Sequence, residues 1–185
     1  MNAPVAGVAA VTIPLIMLAA FAGHARRPRL LSTALRMQRV LPRRLTGPVA
    51  ALAVTAEGGT GVTAAGGLLL GRDALLRAAL GAAAVLLVAY AAYGASVTRT
   101  RPSAPCGCTG SLASPMTSWV AARAAVLSAL AAAGAVWGPP AAQPGAETAI
   151  IGLAGLSFAV ILWTLPEALE ERAPGTSPAV GFSSQ

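Results

Sequence analysis

The sequence predicts an all-α, polytopic membrane helix bundle with a four-helix core and a fifth C-terminal span, and three observations carry that prediction. Of the 185 residues, 56% are hydrophobic and only 10% are charged, and the mean hydropathy is +0.69, far outside the range of water-soluble domains. The apolar residues gather into five long runs, each near the roughly 20 residues a helix needs to cross a bilayer. The charges fall between those runs, with two exceptions inside them, Glu57 and Arg123.

The first span is expected over residues 3–23. No charged side chain occurs from Met1 to Gly23. Ala20-Phe21-Ala22 resembles a signal-peptide processing site, but no Lys or Arg precedes the apolar core, so the segment reads as a retained span. Seven arginines follow between His24 and Thr46, with leucines and Val40 among them. This alternation suits an amphipathic segment lying at the membrane interface, and Pro42 is expected to end any helix there.

The second span is expected over 47–71. It is rich in small residues, among them Gly58, Gly59, Gly61, Gly66 and Gly67, which let helices approach closely in lipid, so a central place in the bundle is expected. Arg72 and Asp73 make a short turn, and the third span, 78–97, must run back antiparallel beside the second. Tyr90 and Tyr93 lie toward its far end. The fourth span, 117–137, begins with Trp119 at the depth of an interfacial anchor and is stopped by Gly138-Pro139-Pro140. The fifth, 148–165, carries Trp163 near its end. Residues 1–165 thus form one membrane domain, and the Pro/Gly/Ser-rich stretch 166–185 reads as a disordered tail.

The thirteen basic residues are all arginine, and none of their clusters is interleaved with aromatics in the manner of a nucleic-acid surface. Arginines beside apolar spans are the usual mark of contact with anionic lipid, so the lipid bilayer, and no nucleic acid, is the expected partner of this charge.

Three features could carry chemistry. Cys106 and Cys108, the only two cysteines, stand one residue apart in a loop rich in Pro, Gly and Ser. Two thiols at that spacing can close a small, easily reduced disulfide ring or hold one soft metal ion. Two unrelated thiols in a membrane loop are the plain alternative. Glu57 lies about eleven residues into its helix, roughly 16 Å at 1.5 Å per residue, where an ionisable group is functional or paired. Arg123 enters from the same side to about 9 Å by the same rise. It either meets Glu57 or reaches back toward the cysteines, where a guanidinium would favour the thiolate. His24 and Met116 could complete a metal site with the cysteines, but the spacing does not support one and no metal is expected.

The run Cys106-Gly107-Cys108-Thr109-Gly110, followed by Ser118-Trp119 and Arg123 in an apolar helix, resembles the MauE family of methylamine utilisation membrane proteins. Leu41-Pro42 ahead of the second span and Glu57 within it agree. The family typically has phenylalanine at the position of Thr109 and asparagine at that of Ala124. The resemblance implies a helical core like that of DoxX and vitamin K epoxide reductase proteins. It also implies a thiol-disulfide role, with Cys106, Cys108, Arg123 and Glu57 as site residues. By the same resemblance, the partners are a thioredoxin-like membrane or exported protein and an exported client, as in maturation of the disulfide-rich small subunit of methylamine dehydrogenase. With a single cysteine pair, a redox cycle needs an external thiol or a quinone-like electron acceptor. A docking factor without turnover and a small-solute or metal transporter are the alternative functions.

Two considerations about orientation oppose each other. The 24–46 segment, the cysteine loop and the C-terminus share one side, and arginine bias places that side in the cytoplasm. Disulfide formation needs an oxidising compartment, and the resemblance points the same way. The cysteine loop is accordingly expected on the extracytoplasmic face of the cell membrane.

Overall fold

The computed structural model describes residues 2–101, 104–105, 116–138 and 146–171, with the side chains of residues 3–101, 104–105, 116–138 and 146–164. The cysteine loop, 106–115, lies outside the described residues, as does 172–185. Among the described residues there are six helices: α1 (Asn2–Arg26), α2 (Pro28–Gln38), α3 (Thr46–Leu69), α4 (Asp73–Thr100), α5 (Ser118–Trp137) and α6 (Ala146–Glu171). Four stretches are long and apolar enough to cross a membrane: Ala3–Arg26, Asp73–Thr100, Ser118–Trp137 and Ala146–Thr164. The protein is therefore an all-α multi-pass membrane bundle. α3, the expected second span, is 24 residues long, but its glycines, threonines and Glu57 keep it out of that apolar set. Large apolar side chains point outward, Leu69 at 84% exposure and Val85 at 73%, as suits a bundle whose solvent is lipid.

The long helices alternate in direction. Gly58 and Gly61 of α3 meet Phe21 and Leu18 of α1, so the register advances along one helix as it retreats along the other. Gly67 meets Leu76 across the α3–α4 turn, and Gly94 meets Ala121 between α4 and α5. Hydrogen bonds cross the interior as well: Ser128 Oγ donates to the Ala84 carbonyl at 2.9 Å, and Thr12 Oγ1 donates to the Gly155 carbonyl at 2.9 Å, tying α6 to α1. Lipid supplies no hydrophobic drive for helices to associate, so close approach through small residues and such bonds hold the bundle together.

This alternation gathers α2, the start of α3, the end of α4 and the start of α5 at one end of the bundle. The N-terminus, the α3–α4 turn and the end of α5 lie at the other. At that other end Arg77 donates from Nε to the Ala135 carbonyl at 2.8 Å and from Nη2 to the Val136 carbonyl at 2.7 Å. It thereby satisfies acceptors that the last turn of α5 leaves open, with a cation at the negative end of the helix dipole.

α2 is the expected amphipathic segment. It ends at Gln38, with Arg39 in the left-handed region (φ 54°), three residues before Pro42, and it buries Ala34, Leu35 and Gln38. α6 departs from expectation: it continues through Pro166 to Glu171, so residues 166–171, expected in the disordered tail, are helical.

The tightest helix contact is at Gly67, where a Cβ would lie 2.7 Å from the Leu76 backbone nitrogen. Backbone cannot swing aside as a side-chain tip can. Gly67→Ala is expected to destabilise the protein by about 1–3 kcal/mol, the usual cost of overpacking, while Gly59→Ala, which meets open space, should be neutral or slightly stabilising. Unfolding of the purified variants in mixed micelles checks the contrast.

Candidate functional site

Where the helices converge toward the cysteine-loop end they enclose a cavity of about 410 Å³. Its walls are mostly apolar, with Ile16 and Met17 from α1, Leu52 from α3, Leu87 from α4 and Leu127 from α5. Six polar or charged side chains interrupt them: His24, Gln38, Glu57, Tyr90, Tyr93 and Arg123. They come from α1 to α5, two of them from α4, and three short sets of contacts organise them.

Glu57 is 3% exposed on the α3 face that Gly58 and Gly61 bring against α1. Its Oε1 accepts a hydrogen bond from the Tyr90 hydroxyl at 2.9 Å, and its Oε2 lies 3.7 Å from His24 Nε2, in the last turn of α1. That distance is too long for a hydrogen bond, and Oε2 has no hydrogen-bond partner among the described residues. The sequence placed Glu57 in the membrane interior. Its partners come from α1 and α4, and Arg123 is not among them.

Arg123 turns instead toward α6. Its Nη1 donates to the Leu162 carbonyl at 3.2 Å, and its guanidinium carbon stands 6.0 Å from the centroid of the Trp163 ring, the outer limit of a cation–π contact. Leu162 has an open carbonyl for a reason readable in the sequence. In an α-helix the carbonyl of residue i accepts from the N–H of residue i+4, and four residues after Leu162 stands Pro166, which has no N–H. Arg123 supplies the missing donor, which explains both why α6 survives its proline and why Arg123 does not reach Glu57.

Gln38 is the residue that sequence reasoning missed. It is the last residue of α2 and 1% exposed. The Tyr93 hydroxyl donates to its Oε1 at 2.7 Å, and its Nε2 donates to the Pro105 carbonyl at 2.8 Å. Pro105 immediately precedes Cys106. The other end of the loop is held too, because the Met116 N–H donates to the Ala104 carbonyl at 2.7 Å and the Ala104 N–H to the Arg101 carbonyl at 3.0 Å. Met116 itself is buried against Val97 and Ala104. A polar residue at the buried C-terminus of an amphipathic helix was the available signal, hidden by the arginines around it. Cys106 and Cys108 lie outside the described residues, but the stem from which their loop departs is closed at both ends and stands at the rim of the cavity.

A family model described as Methylamine utilisation protein MauE matches residues 2–138 of the chain. No curated protein and no solved structure matches it. The matched region covers α1 to α5 and every polar residue of the cavity, while α6, which supplies Leu162 and Trp163, lies beyond it.

Proposed function

The chain belongs to the family of methylamine utilisation protein MauE and is a multi-pass membrane protein, and from that premise we propose that it is a thiol-disulfide exchange protein supporting disulfide formation in an exported partner. The observation that carries this reading is the closed stem at Ala104, Pro105 and Met116. In sequence the two cysteines begin one residue beyond a carbonyl held by a buried glutamine, so the segment that carries them departs from a fixed stem at one end of the bundle.

The exchange balances with one cysteine pair. A client thiolate attacks the Cys106–Cys108 disulfide, one S–S bond breaks as a mixed disulfide forms, and the client's second thiolate releases it. The client is oxidised and the pair is left as two thiols. Reoxidation passes two electrons and two protons to an outside oxidant, either the disulfide of a thioredoxin-like partner or a quinone-like acceptor in the bilayer. The family's tie to methylamine utilisation makes the small subunit of methylamine dehydrogenase the first client to test.

α3 crosses the bilayer as a fifth span in this reading, because it runs antiparallel to α1 and α4 and is buried between them at Glu57, Gly61, Ala64 and Gly67. The cysteine loop then faces outward. Among the described residues the helix ends and connections on that side of the bundle hold nine arginines, but seven belong to α2 and its flanks, where an interfacial helix attracts lipid headgroups whichever face it lies on. An oxidising compartment is the stronger requirement.

Labelling of intact cells with a membrane-impermeant maleimide tests both parts. Cys106 and Cys108 are expected to react only after mild reduction, and without lysis. Labelling confined to lysed cells would overturn the outward assignment, and full labelling without reduction would overturn the disulfide.

A further inference from the structure

We propose that the cavity is a binding site for a neutral, lipid-soluble molecule whose head carries a hydroxyl group, seated between Glu57 and His24. This goes beyond the thiol chemistry and does not depend on it.

The volume, about 410 Å³, falls within the range of sites that enclose a small organic ligand. The walls would cover an apolar body, and the polar groups narrow the choice of head. Glu57 Oε2 is buried and has no hydrogen-bond partner among the described residues, a costly arrangement that a donor from a bound molecule would relieve. His24 Nε2 stands 3.7 Å away, so one ligand oxygen placed beside both can contact each of them. A hydroxyl both donates and accepts, whereas an ether or carbonyl only accepts and an ammonium only donates. An anionic head would need the guanidinium of Arg123, which is engaged with the Leu162 carbonyl and Trp163.

The route of entry is also marked. Leu52 lines the cavity and is 69% exposed on the outer surface, and Ala89 of α4 likewise lines the cavity and is exposed. In a membrane those outer surfaces meet acyl chains, so the ligand arrives dissolved in the bilayer.

The test uses the purified full-length protein in detergent and three probes with one apolar body: tritiated 4-octylphenol, its methyl ether 4-octylanisole, and octylbenzene. Octylphenol is expected to bind saturably and about tenfold or more tighter than the other two, the worth of a hydrogen bond to a charged or strongly polar partner. Ala53→Trp, which fills the cavity from a lining position, should abolish saturable binding. Glu57→Leu should erase the preference for the hydroxyl, and Glu57→Gln, the milder change, should reduce it. Equal affinity for all three probes, binding that never saturates, or a hydroxyl preference unchanged in both Glu57 variants would each overturn the proposal.

Discussion

Cys106→Ser is expected to abolish thiol-disulfide exchange while leaving the helical bundle folded, and Cys108→Ser should do the same. The loss is complete because each sulfur needs the other. A single remaining thiolate can attack a partner's disulfide, but no neighbouring thiol is present to release it, so the reaction stops at a mixed disulfide. The stem hydrogen bonds at Gln38, Ala104 and Met116 involve neither cysteine, so helix content and micellar unfolding should match the parent chain. The measurement is non-reducing electrophoresis of membranes from cells expressing each variant, followed by mass spectrometry of any adduct. A trapped adduct names the partner directly. Client oxidation at the parental rate in either variant would refute the exchange mechanism and leave a docking role.

Glu57→Leu should destabilise the bundle. It takes the hydrogen-bond acceptor from the Tyr90 hydroxyl, and an interior polar group that loses its partner costs about 1–3 kcal/mol. Glu57→Gln keeps an acceptor for Tyr90 and should cost about 1 kcal/mol, the net worth of the hydrogen bond it weakens. The cavity geometry also fixes the pattern of coupling. Glu57 and Tyr90 touch, so Glu57→Leu combined with Tyr90→Phe should fall short of additivity by about 0.5–3 kcal/mol. Glu57 and Arg123 share no partner, so their combined loss should be additive to within about 0.5 kcal/mol. Unfolding free energies in mixed micelles decide the matter, and strong coupling between Glu57 and Arg123 would contradict the contacts described above.

The helical membrane architecture was legible because lipid imposes it. A chain whose apolar runs are each about 20 residues long has few ways to satisfy its backbone other than as helices. The amphipathic α2, the tight turn at Arg72 and the depth of Glu57 followed from local pattern in the same way. The glycines of α3 announced close contacts, though their partners Phe21, Leu18 and Leu76 belong to other helices and could not be read locally. The fifth span was expected to end at Leu165, where the apolar run gives way to charge, whereas α6 runs on to Glu171, because helix can continue past an apolar run and Arg123 supplies a donor where Pro166 has none.

What the sequence by itself determined is how far each side chain sits along its helix, because rise per residue is constant. What only the tertiary structure decided is which way that side chain faces, because rotation about the helix axis is set by packing small residues against neighbours. Depth alone brought Arg123 toward Glu57. Rotation gave Glu57 to Tyr90 and His24, gave Arg123 to the carbonyl that Pro166 leaves open, and turned Gln38, an ordinary residue in the sequence, into the clasp of the cysteine loop.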